Sequence, residues 1–423
     1  MLIRAIKQMS WIGILCLLLM PLRGQAQSDS EGSVWPNKES SANSDEWIRL
    51  HHNQITQLRP RVLVLTFVNG TSVEETQKKV DAVTAAIREA TRYHGYRDSK
   101  AVPFLDYQIF KIVPIIDPTP LPEAERMDGN SSHYPRVPNW QAGMANFQYS
   151  ALFTEKFANH YKVKDPSDAS RFLTLSEMIG RGMINEVWFF SLQGNFGAPH
   201  PVVELKQAYD ANNRKIKDRA VQAGIAEAKD LVSPGRSLRV TSFNAERGAG
   251  CALEKIGLSL EALANSNAIP YFTRYFNEFA GFDLNKRYKI PFQGIHKRGE
   301  IEVEYPDNNT LLYRVKGEGF AVRNYVAPAG SVRYCPNSRR EFELNNRIPI
   351  YSNIENFRLK NGRNGADKAE LFQPEKFARY QTVASDCVGP WMVYWMQSMP
   401  GLGSKATDDT DRPMRNWWTF LFY

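Results

Sequence analysis

Short apolar runs alternate with helical patterns between residues 58 and 285, and this alternation constrains the fold more than any other feature. The first run, residues 61–68, is rich in β-branched side chains, which is typical of a strand buried on both faces. Ser72 and Glu75 then form a capping box that predicts a helix to about residue 94. Further strands are predicted at residues 107–116, 186–191 and 237–243, and further helices at residues 148–162, 171–182 and 246–264.

Strands that alternate with helices predict an α/β fold, in which helices flank a mostly parallel sheet and right-handed crossovers join its strands. We place this α/β domain at residues 47–285. The pattern is looser beyond it. Residues 286–423 are therefore expected to form a less regular, aromatic-rich C-terminal region that is either packed on the sheet or appended to it.

Residues 1–26 have the pattern of a secretory signal peptide. Arg4 and Lys7 form a basic segment, residues 11–22 are apolar, and the small residues that follow fit a cleavage site. The apolar run is about a dozen residues long, short of the ~20 that span a bilayer, so a membrane anchor is the weaker interpretation. We expect an exported protein, periplasmic or extracellular, with no stable membrane insertion and a disordered polar leader at residues 27–46.

The chain carries a formal net charge of +8, and loss of the three basic residues in the signal peptide leaves +5, spread along the chain. A dedicated nucleic-acid binder would cluster its lysines and arginines, so that class of protein is not expected. The densest basic run, residues 214–219, is interpreted as the solvated face of a helix. The sequence does not define an oligomeric state.

Three cysteines remain after cleavage, namely Cys251, Cys335 and Cys387. In an oxidising compartment one pair can form a disulfide and one thiol is left over, and the spacing does not say which. The sequence contains no Cys-x-x-Cys motif, so neither a structural zinc site nor thioredoxin-like chemistry is expected.

Polar residues follow each predicted strand, at the sheet edge where open parallel sheets bind ligands. They are Asn69, Asp117, Gln193, Asn195, Asn244, Glu246 and Arg247. The alternative is that strand ends simply need turn-forming residues, and it is the stronger interpretation for Asn69 and Asp117. A charged pair just before a glycine-rich helix start is more than a turn requires. Glu246 either acts on a ligand or pairs with Arg247 at the helix N-terminus.

The turn at residues 248–250 contains two glycines, but the Gly-x-Gly-x-x-Gly fingerprint is absent, so nucleotide binding is not favoured. Cys251 lies eight residues after Phe243, inside the predicted helix. A nucleophile elbow would stand directly between strand and helix. A structural cysteine is therefore the expected interpretation of Cys251.

His200 stands between two prolines in the loop after the third strand, with Glu204 four residues on. It is a candidate general base or metal ligand, although a loop histidine is more often structural. The other histidines are scattered and metal-binding motifs are missing, so we expect neither a metal nor a cofactor. A zinc-dependent hydrolase is the third interpretation, and it would need ligands gathered from distant segments.

The C-terminal segment is unusually aromatic. Trp391 and Trp395 stand four residues apart, on one face of a predicted helix, and residues 416–423 end the chain with an aromatic cluster. Exposed tryptophans would suit stacking on sugar rings. A terminal element that plugs the core is the favoured alternative.

Residues 184–190, residues 243–250 and the terminal Asn416-Trp417-Trp418 resemble a loosely defined group of secreted bacterial proteins with no established activity. The resemblance covers most of the mature chain. It implies an exported protein and supplies no activity to carry over.

The chain departs from that group at two positions. The group often has a histidine after the glycine that Gly257 matches, where this chain has Leu258, although Glu261 is kept. A second histidine of the group corresponds to Arg333 here. The resemblance therefore puts metal chemistry in doubt.

Together these observations favour a secreted hydrolase that acts on a glycan or another envelope polymer. The predicted catalytic residues are Glu246, His200 and Asp117. The predicted substrate-binding residues are Asn195, Asn244, Arg247, Asn69 and Gln193. The alternative is a non-catalytic secreted binding or envelope-structural protein, in which Glu246 and Arg247 form an internal salt bridge.

Overall fold

A computed structural model describes residues 33–40, 44–116, 134–135, 147–192, 199–290, 301–315, 317–359 and 368–423. The predicted signal peptide and the predicted site residues Asp117, Gln193 and Asn195 lie outside the described residues.

The strands are β1 (Val34–Trp35), β2 (Gln57–Leu58), β3 (Arg61–Thr66), β4 (Gln108–Pro114), β5 (Lys164–Asp165), β6 (Asp168–Phe172), β7 (Glu186–Ser191), β8 (Val202–Tyr209), β9 (Lys215–Gln222), β10 (Leu238–Asn244), β11 (Ile301–Asp307), β12 (Thr310–Val315), β13 (Glu318–Val322), β14 (Ile350–Ser352) and β15 (Glu370–Phe372).

The α-helices are α1 (Ser44–His51), α2 (Val73–Ala90), α3 (Glu155–Tyr161), α4 (Leu175–Gly180), α5 (Ala249–Ser266), α6 (Pro270–Ala280), α7 (Leu284–Tyr288), α8 (Glu375–Ala378) and α9 (Gly389–Gln397). Short 3-10 helices span Tyr149–Phe153, Ile354–Asn356, Arg379–Thr382 and Trp417–Phe422. Within the described ranges, none of the helices is long and apolar enough to cross a membrane.

Six strands form the central sheet, in the order β4-β3-β7-β10-β8-β9. The first four run parallel to one another, whereas β8 is antiparallel to β10 and β9 is antiparallel to β8. The predicted mixture of helices with a mostly parallel sheet is confirmed. Because β3, β7 and β10 are parallel neighbours, their carboxyl ends lie together at one edge of the sheet.

Both faces of the sheet are covered, which explains why the central parallel strands β3, β7 and β10 are mainly apolar. Val62, Val64 and Trp188 belong to a core shared with α2, α5, α6 and α9. Leu63 and Val187, which alternate with them, belong to a second core shared with α3 and α4. The sheet is therefore the middle of three layers.

Helix α2 begins as the capping box predicts. The Ser72 hydroxyl accepts the Glu75 N–H at 3.1 Å, and the Glu75 carboxylate accepts the Ser72 N–H at 2.8 Å. Helix α5 begins at Ala249, three residues later than predicted, because a turn closed by the Arg247 N–H and the Asn244 carbonyl (3.1 Å) precedes it.

One helix prediction beside the sheet is too long, and another is wrong. The helix predicted at residues 171–182 begins only at Leu175, where Thr174 provides the cap, because the residues before it form β6. The basic run at residues 214–219 is not a helix face, since it enters β9, an exposed strand at the sheet edge. Charged side chains on an edge strand disfavour pairing with other sheets, which accounts for its composition.

Part of the leader predicted as disordered, residues 27–46, takes part in the fold. Val34 and Trp35 pair with β2, and the Trp35 indole N–H donates to the Ser44 hydroxyl at 3.0 Å. Trp35 is 1% exposed. Burial of one large aromatic side chain offsets the polar composition from which disorder was predicted.

A row of buried charges crosses the sheet. Glu186 on β7, Arg239 on β10 and Glu204 on β8 are direct neighbours in the strand register. Arg239 forms an ion pair with Glu186, and its Nη1 lies 3.8 Å from Oε1 of Glu204. The Lys206 ammonium contacts the same Glu204 oxygen at 3.2 Å. Opposite charges therefore compensate one another, the condition under which ionic groups are tolerated in a core.

These charges also explain why β8 was not predicted. All eight of its residues are buried, but Glu204 and Lys206 interrupt the apolar pattern by which a buried strand is recognised. Glu204 and Lys206 pair with each other, but the third member of the group, Arg239 of β10, is distant in sequence, so the full compensation is invisible without the fold.

The C-terminal 3-10 helix closes the core over this charge row. The Leu421 carbonyl accepts a hydrogen bond from Nη1 of Arg239 at 3.3 Å, and the Arg239 guanidinium lies over the Phe422 ring, 5.4 Å from its centroid. Trp417 and Trp418 are at most 1% exposed. These tryptophans form part of the core, as the favoured interpretation holds, and offer no surface for sugar stacking.

Arg239→Met should lower the free energy of unfolding by about 3–5 kcal/mol at pH 7, because it leaves Glu186 and Glu204 buried without their shared cation. Urea unfolding measures the change. The control is the double variant Glu186→Gln/Arg239→Met, which should lose clearly less than the sum of the two single variants. If the free-energy losses of the two single variants simply add in the double variant, Glu186 and Arg239 are not energetically coupled.

Candidate functional site

A cavity of about 440 Å³ opens at the carboxyl ends of the parallel strands, where the sheet architecture predicts a ligand site. We call it the strand-end cavity. One wall is α2, and the other is the turn from β10 into α5. Its lining consists of Thr71, Glu75, Lys78, Lys79, Ala82, Val83, Phe190, Phe243, Asn244, Arg247, Gly248, Ala249, Cys251 and Ala252.

The floor of the strand-end cavity is apolar. Phe190 and Phe243 come from the ends of adjacent strands, and their ring centroids lie 5.6 Å apart. Val83 of α2 and Ala252 of α5 complete this floor from the two walls. The floor therefore suits the apolar part of a ligand.

Cationic side chains surround the mouth of the cavity. The Lys79 ammonium donates a hydrogen bond to the Ala245 carbonyl, which ties α2 to the turn before α5. Lys78 pairs with Glu74 at 3.0 Å, but both side chains are more than 70% exposed, so solvent screens that attraction. Arg247 is exposed and has no ion-pair partner among the residues described. Lys79 and Arg247 are thus placed to receive an anionic group.

Glu75 is the carboxylate in the cavity lining, and it is already engaged. Hydrogen bonds from Ser72, that of the backbone N–H first, lower the pKa of Glu75. The group therefore stays ionised at neutral pH and serves as the cap of α2. It is poorly suited to act as a general acid, which needs a raised pKa.

The N-terminus of α5 is occupied by a carboxylate of the protein itself. Asp386, in the loop before α9, accepts the Gly248 N–H at 2.7 Å with one oxygen and the Gly250 N–H at 2.8 Å with the other. A methyl group at Gly250 would overlap the Asp386 carbonyl oxygen. The glycines of this turn are therefore explained by the approach of Asp386, and these amides are not free to bind a phosphate.

A disulfide secures the same junction. Cys251, at the third residue of α5 and in the cavity lining, is bonded to Cys387 across 136 residues of sequence. Cys335 is free and buried. One pair and one leftover thiol were expected, and the structure identifies them.

This junction does not offer a metal site. Ligand atoms of Cys251, Asp386 and Cys387 lie within 4.8 Å of one another. Both sulfurs are held in the disulfide, however, and both Asp386 oxygens accept N–H groups. Metal ligation by cysteine requires a thiolate.

The structure brings two of the predicted site residues together. Asn244 and Arg247 both line the strand-end cavity. The Asn244 side-chain oxygen accepts the Glu246 N–H at 2.9 Å, so it also shapes the turn. Glu246 is exposed, is not among the lining residues, and makes no ion pair with Arg247 in the described structure. Asn69 is exposed in the turn after β3, and Thr71 lines the cavity in its place.

His200 lies elsewhere, beside the second core. Its backbone N–H donates to the Tyr149 hydroxyl at 2.8 Å, and its ring is nearly parallel to the Tyr149 ring, with centroids 6.3 Å apart. Glu204, its predicted companion, is buried in β8 and paired with Lys206. His200 and Glu246 do not line a common cavity in the part of the chain that is described.

Sequence reasoning missed Lys78, Lys79 and Asp386. The strand-end rule selects residues in turns, whereas the two lysines lie a full helical turn or more inside α2. Lys78 and Lys79 lie about one helical turn after Glu75, in the part of α2 that follows the end of β3, and this position could have identified them. Asp386 is 136 residues from Gly250 and gives no local signal.

Glu261 and Arg333 lie where α5 meets residues 330–343. The Glu261 carboxylate accepts the Val332 N–H at 2.7 Å, and burial raises the pKa of Glu261 to about 7. Arg333 pairs with Glu254 at 3.4 Å and with Glu341 at 2.8 Å. These side chains hold two segments together.

Gly250→Ala should destabilise the fold by about 1–3 kcal/mol, because the new methyl group displaces the Asp386 backbone. Thermal or urea unfolding measures the loss. Gly180→Ala is the matched control, since a methyl group there meets nothing within 4 Å and should be neutral or mildly stabilising. Equal effects of the two substitutions would contradict the proposed packing.

Glu261→Gln should stabilise the protein in a pH-dependent way. Below its ordinary pKa of 4.5, Glu261 is protonated in both states and contributes no difference. Between pH 4.5 and about 7 the unfolded chain releases this proton first, so the wild-type fold loses stability as pH rises. The advantage of the variant should grow from near zero at pH 4 to about 3 kcal/mol at pH 8, as the raised pKa of Glu261 implies. A stability advantage of Glu261→Gln that does not change with pH would refute this prediction. The control is Glu302→Gln, on the exposed face of β11, which should show no such dependence on pH.

No protein family, no curated protein and no solved structure gives a significant match to the chain.

Proposed function

We propose that this is an exported ligand-binding protein whose strand-end cavity takes a small organic anion with an apolar body. The observation that carries the proposal is the combination of an apolar floor with Lys79 and Arg247 at the mouth, at the carboxyl ends of the parallel strands. This choice favours the binding-protein alternative over the hydrolase.

The size and chemistry of the cavity support a ligand of this kind. A volume of about 440 Å³ lies in the range of small-molecule sites. Burial of the apolar body against Phe190 and Phe243 would contribute roughly 25 cal/mol per Å² of apolar surface. The anionic group would remain at the mouth beside Lys79 and Arg247, where it can keep part of its hydration. Such a ligand matches both the apolar floor of the cavity and the cationic side chains at its mouth.

A hydrolase acting on a glycan or another envelope polymer is the second proposal. It is favoured by Glu246, an exposed carboxylate next to the cavity-lining Arg247. Glu246→Gln tests it, since full turnover of an identified substrate by this variant would remove Glu246 from catalysis. The ionised and engaged state of Glu75 supports binding in preference to hydrolysis.

We also propose a location, a group membership and a C-terminal region for this protein. The periplasmic or extracellular location rests on the signal-peptide pattern of residues 1–26. Membership of the group of secreted bacterial proteins rests on residues 184–190, 243–250 and 416–418. The proposal that residues 286–423 form a less regular C-terminal region rests on the looser alternation of strand and helix patterns there.

A series of eight-carbon ligands with different head groups tests the binding proposal. Octanoate and octyl phosphate should bind saturably by calorimetry, whereas octylammonium should not, because Lys79 and Arg247 repel it. Lys79→Met and Arg247→Gln should each weaken octyl phosphate binding about tenfold. Added salt should weaken binding further.

The control variant is Lys156→Gln, which removes an exposed lysine on α3, away from the cavity. It should leave the affinity unchanged. Equal binding of octanoate and octylammonium, or unchanged affinity in both cavity variants, would refute the proposal.

A further inference from the structure

A second concave surface lies away from the strand-end cavity. It is a groove of about 1050 Å³ formed by the end of α5, by α6 and α7, and by loop residues near positions 326, 353 and 358. It shares no lining residue with the strand-end cavity. We call it the amide groove, for the side chains Asn265, Asn267, Asn277 and Asn285 that line it.

Helix α6 divides its faces between the core and the groove. Phe272, Phe276 and Phe279 are fully buried in the main core. Thr273 and Asn277, one helical turn apart, line the groove. The groove wall is therefore a polar helix face held rigidly by the aromatic packing behind it.

The acidic groups in the groove are paired with arginines of the protein. Glu278 accepts hydrogen bonds from Arg358 at 2.8 Å and from Arg274 at 2.9 Å. Asp283 accepts one from Arg287 at 3.0 Å. A charged ligand would have to compete with these contacts. Lys286, which also lines the groove, is exposed, so solvent screens its charge. The groove therefore offers a ligand mainly uncharged hydrogen-bonding groups.

The amide side chains, in contrast, are available. Those of Asn265, Asn267 and Asn277 have no hydrogen-bond partner within the described ranges. The Asn285 side-chain oxygen accepts the Lys286 N–H at 2.9 Å, so the amino group of the Asn285 side chain is available to donate to a ligand. Each carboxamide both donates and accepts, so the groove offers both kinds of hydrogen bond along its length.

We infer that the amide groove binds a neutral saccharide chain. Sugar hydroxyls donate and accept hydrogen bonds, as the free carboxamides do, and they carry no charge that would disturb the paired arginines. An extended peptide is the weaker fit. Peptides are commonly bound by adding a strand to a sheet edge, and the described lining of the groove contains helices and loops only.

Calorimetric titration of the full chain tests the inference. The probes are cellotetraose, maltotetraose and tetra-N-acetylchitotetraose, with an uncharged (Gly-Ser)₃ peptide beside them. At least one saccharide should bind saturably, and the peptide should not. Asn277→Ala and Asn265→Ala should each weaken that binding about tenfold. Because Asn265 is exposed, Asn265→Ala should keep the fold, and it tests the inference even if Asn277→Ala fails to fold.

Two controls separate this site from the strand-end cavity. Asn159→Ala removes an exposed amide on α3, and Arg247→Gln alters the other site; both should leave saccharide affinity unchanged. Saccharide binding that Arg247→Gln abolishes would assign it to the strand-end cavity and overturn the inference. Lack of saturable binding by all three saccharides, binding of the peptide alone, or unchanged affinity in Asn265→Ala would overturn it as well.

Discussion

The capping of α5 by Asp386 is the interaction on which the rest of the site depends. It joins the turn after β10 to the loop before α9, and the Cys251–Cys387 disulfide fixes the same junction covalently. Helix α9 then packs against α5 and α2, the helices that form the two walls of the strand-end cavity. The C-terminal part of the chain thus sets the position of a site whose lining comes from the α/β part.

This arrangement changes what the glycine-rich turn can do. At a strand end, such a turn often leaves backbone N–H groups free for a phosphate. Here Asp386 occupies those at Gly248 and Gly250, and its charge also offsets the positive end of the α5 dipole. In the proposed function, an anion is therefore recognised by side chains, namely those of Lys79 and Arg247. A site of this kind depends on charge and on the apolar floor more than on backbone geometry.

Local patterns were enough to predict the sheet centre, and non-local pairing explains what they missed. Residues 61–66, 186–191 and 238–244 form strands as their mainly apolar, β-branched and aromatic composition predicts. Strand β8 was missed because Glu204 and Lys206 interrupt its apolar run, and their burial beside each other and beside Arg239 of β10 is seen only in the fold. The strand-end rule correctly placed Asn244 and Arg247 beside a cavity. It could not find Lys79, which reaches the cavity from inside a helix, or Asp386, which arrives from far along the chain.

The most direct test of the account is to map where an amphiphilic anion binds. Amide chemical shifts of the isotope-labelled protein would be followed by NMR during titration with octyl phosphate. The account predicts saturable changes concentrated at Lys79, Phe243, Arg247 and Gly248, on both walls of the strand-end cavity. Changes confined to another surface, or no saturable change at any residue, would contradict it.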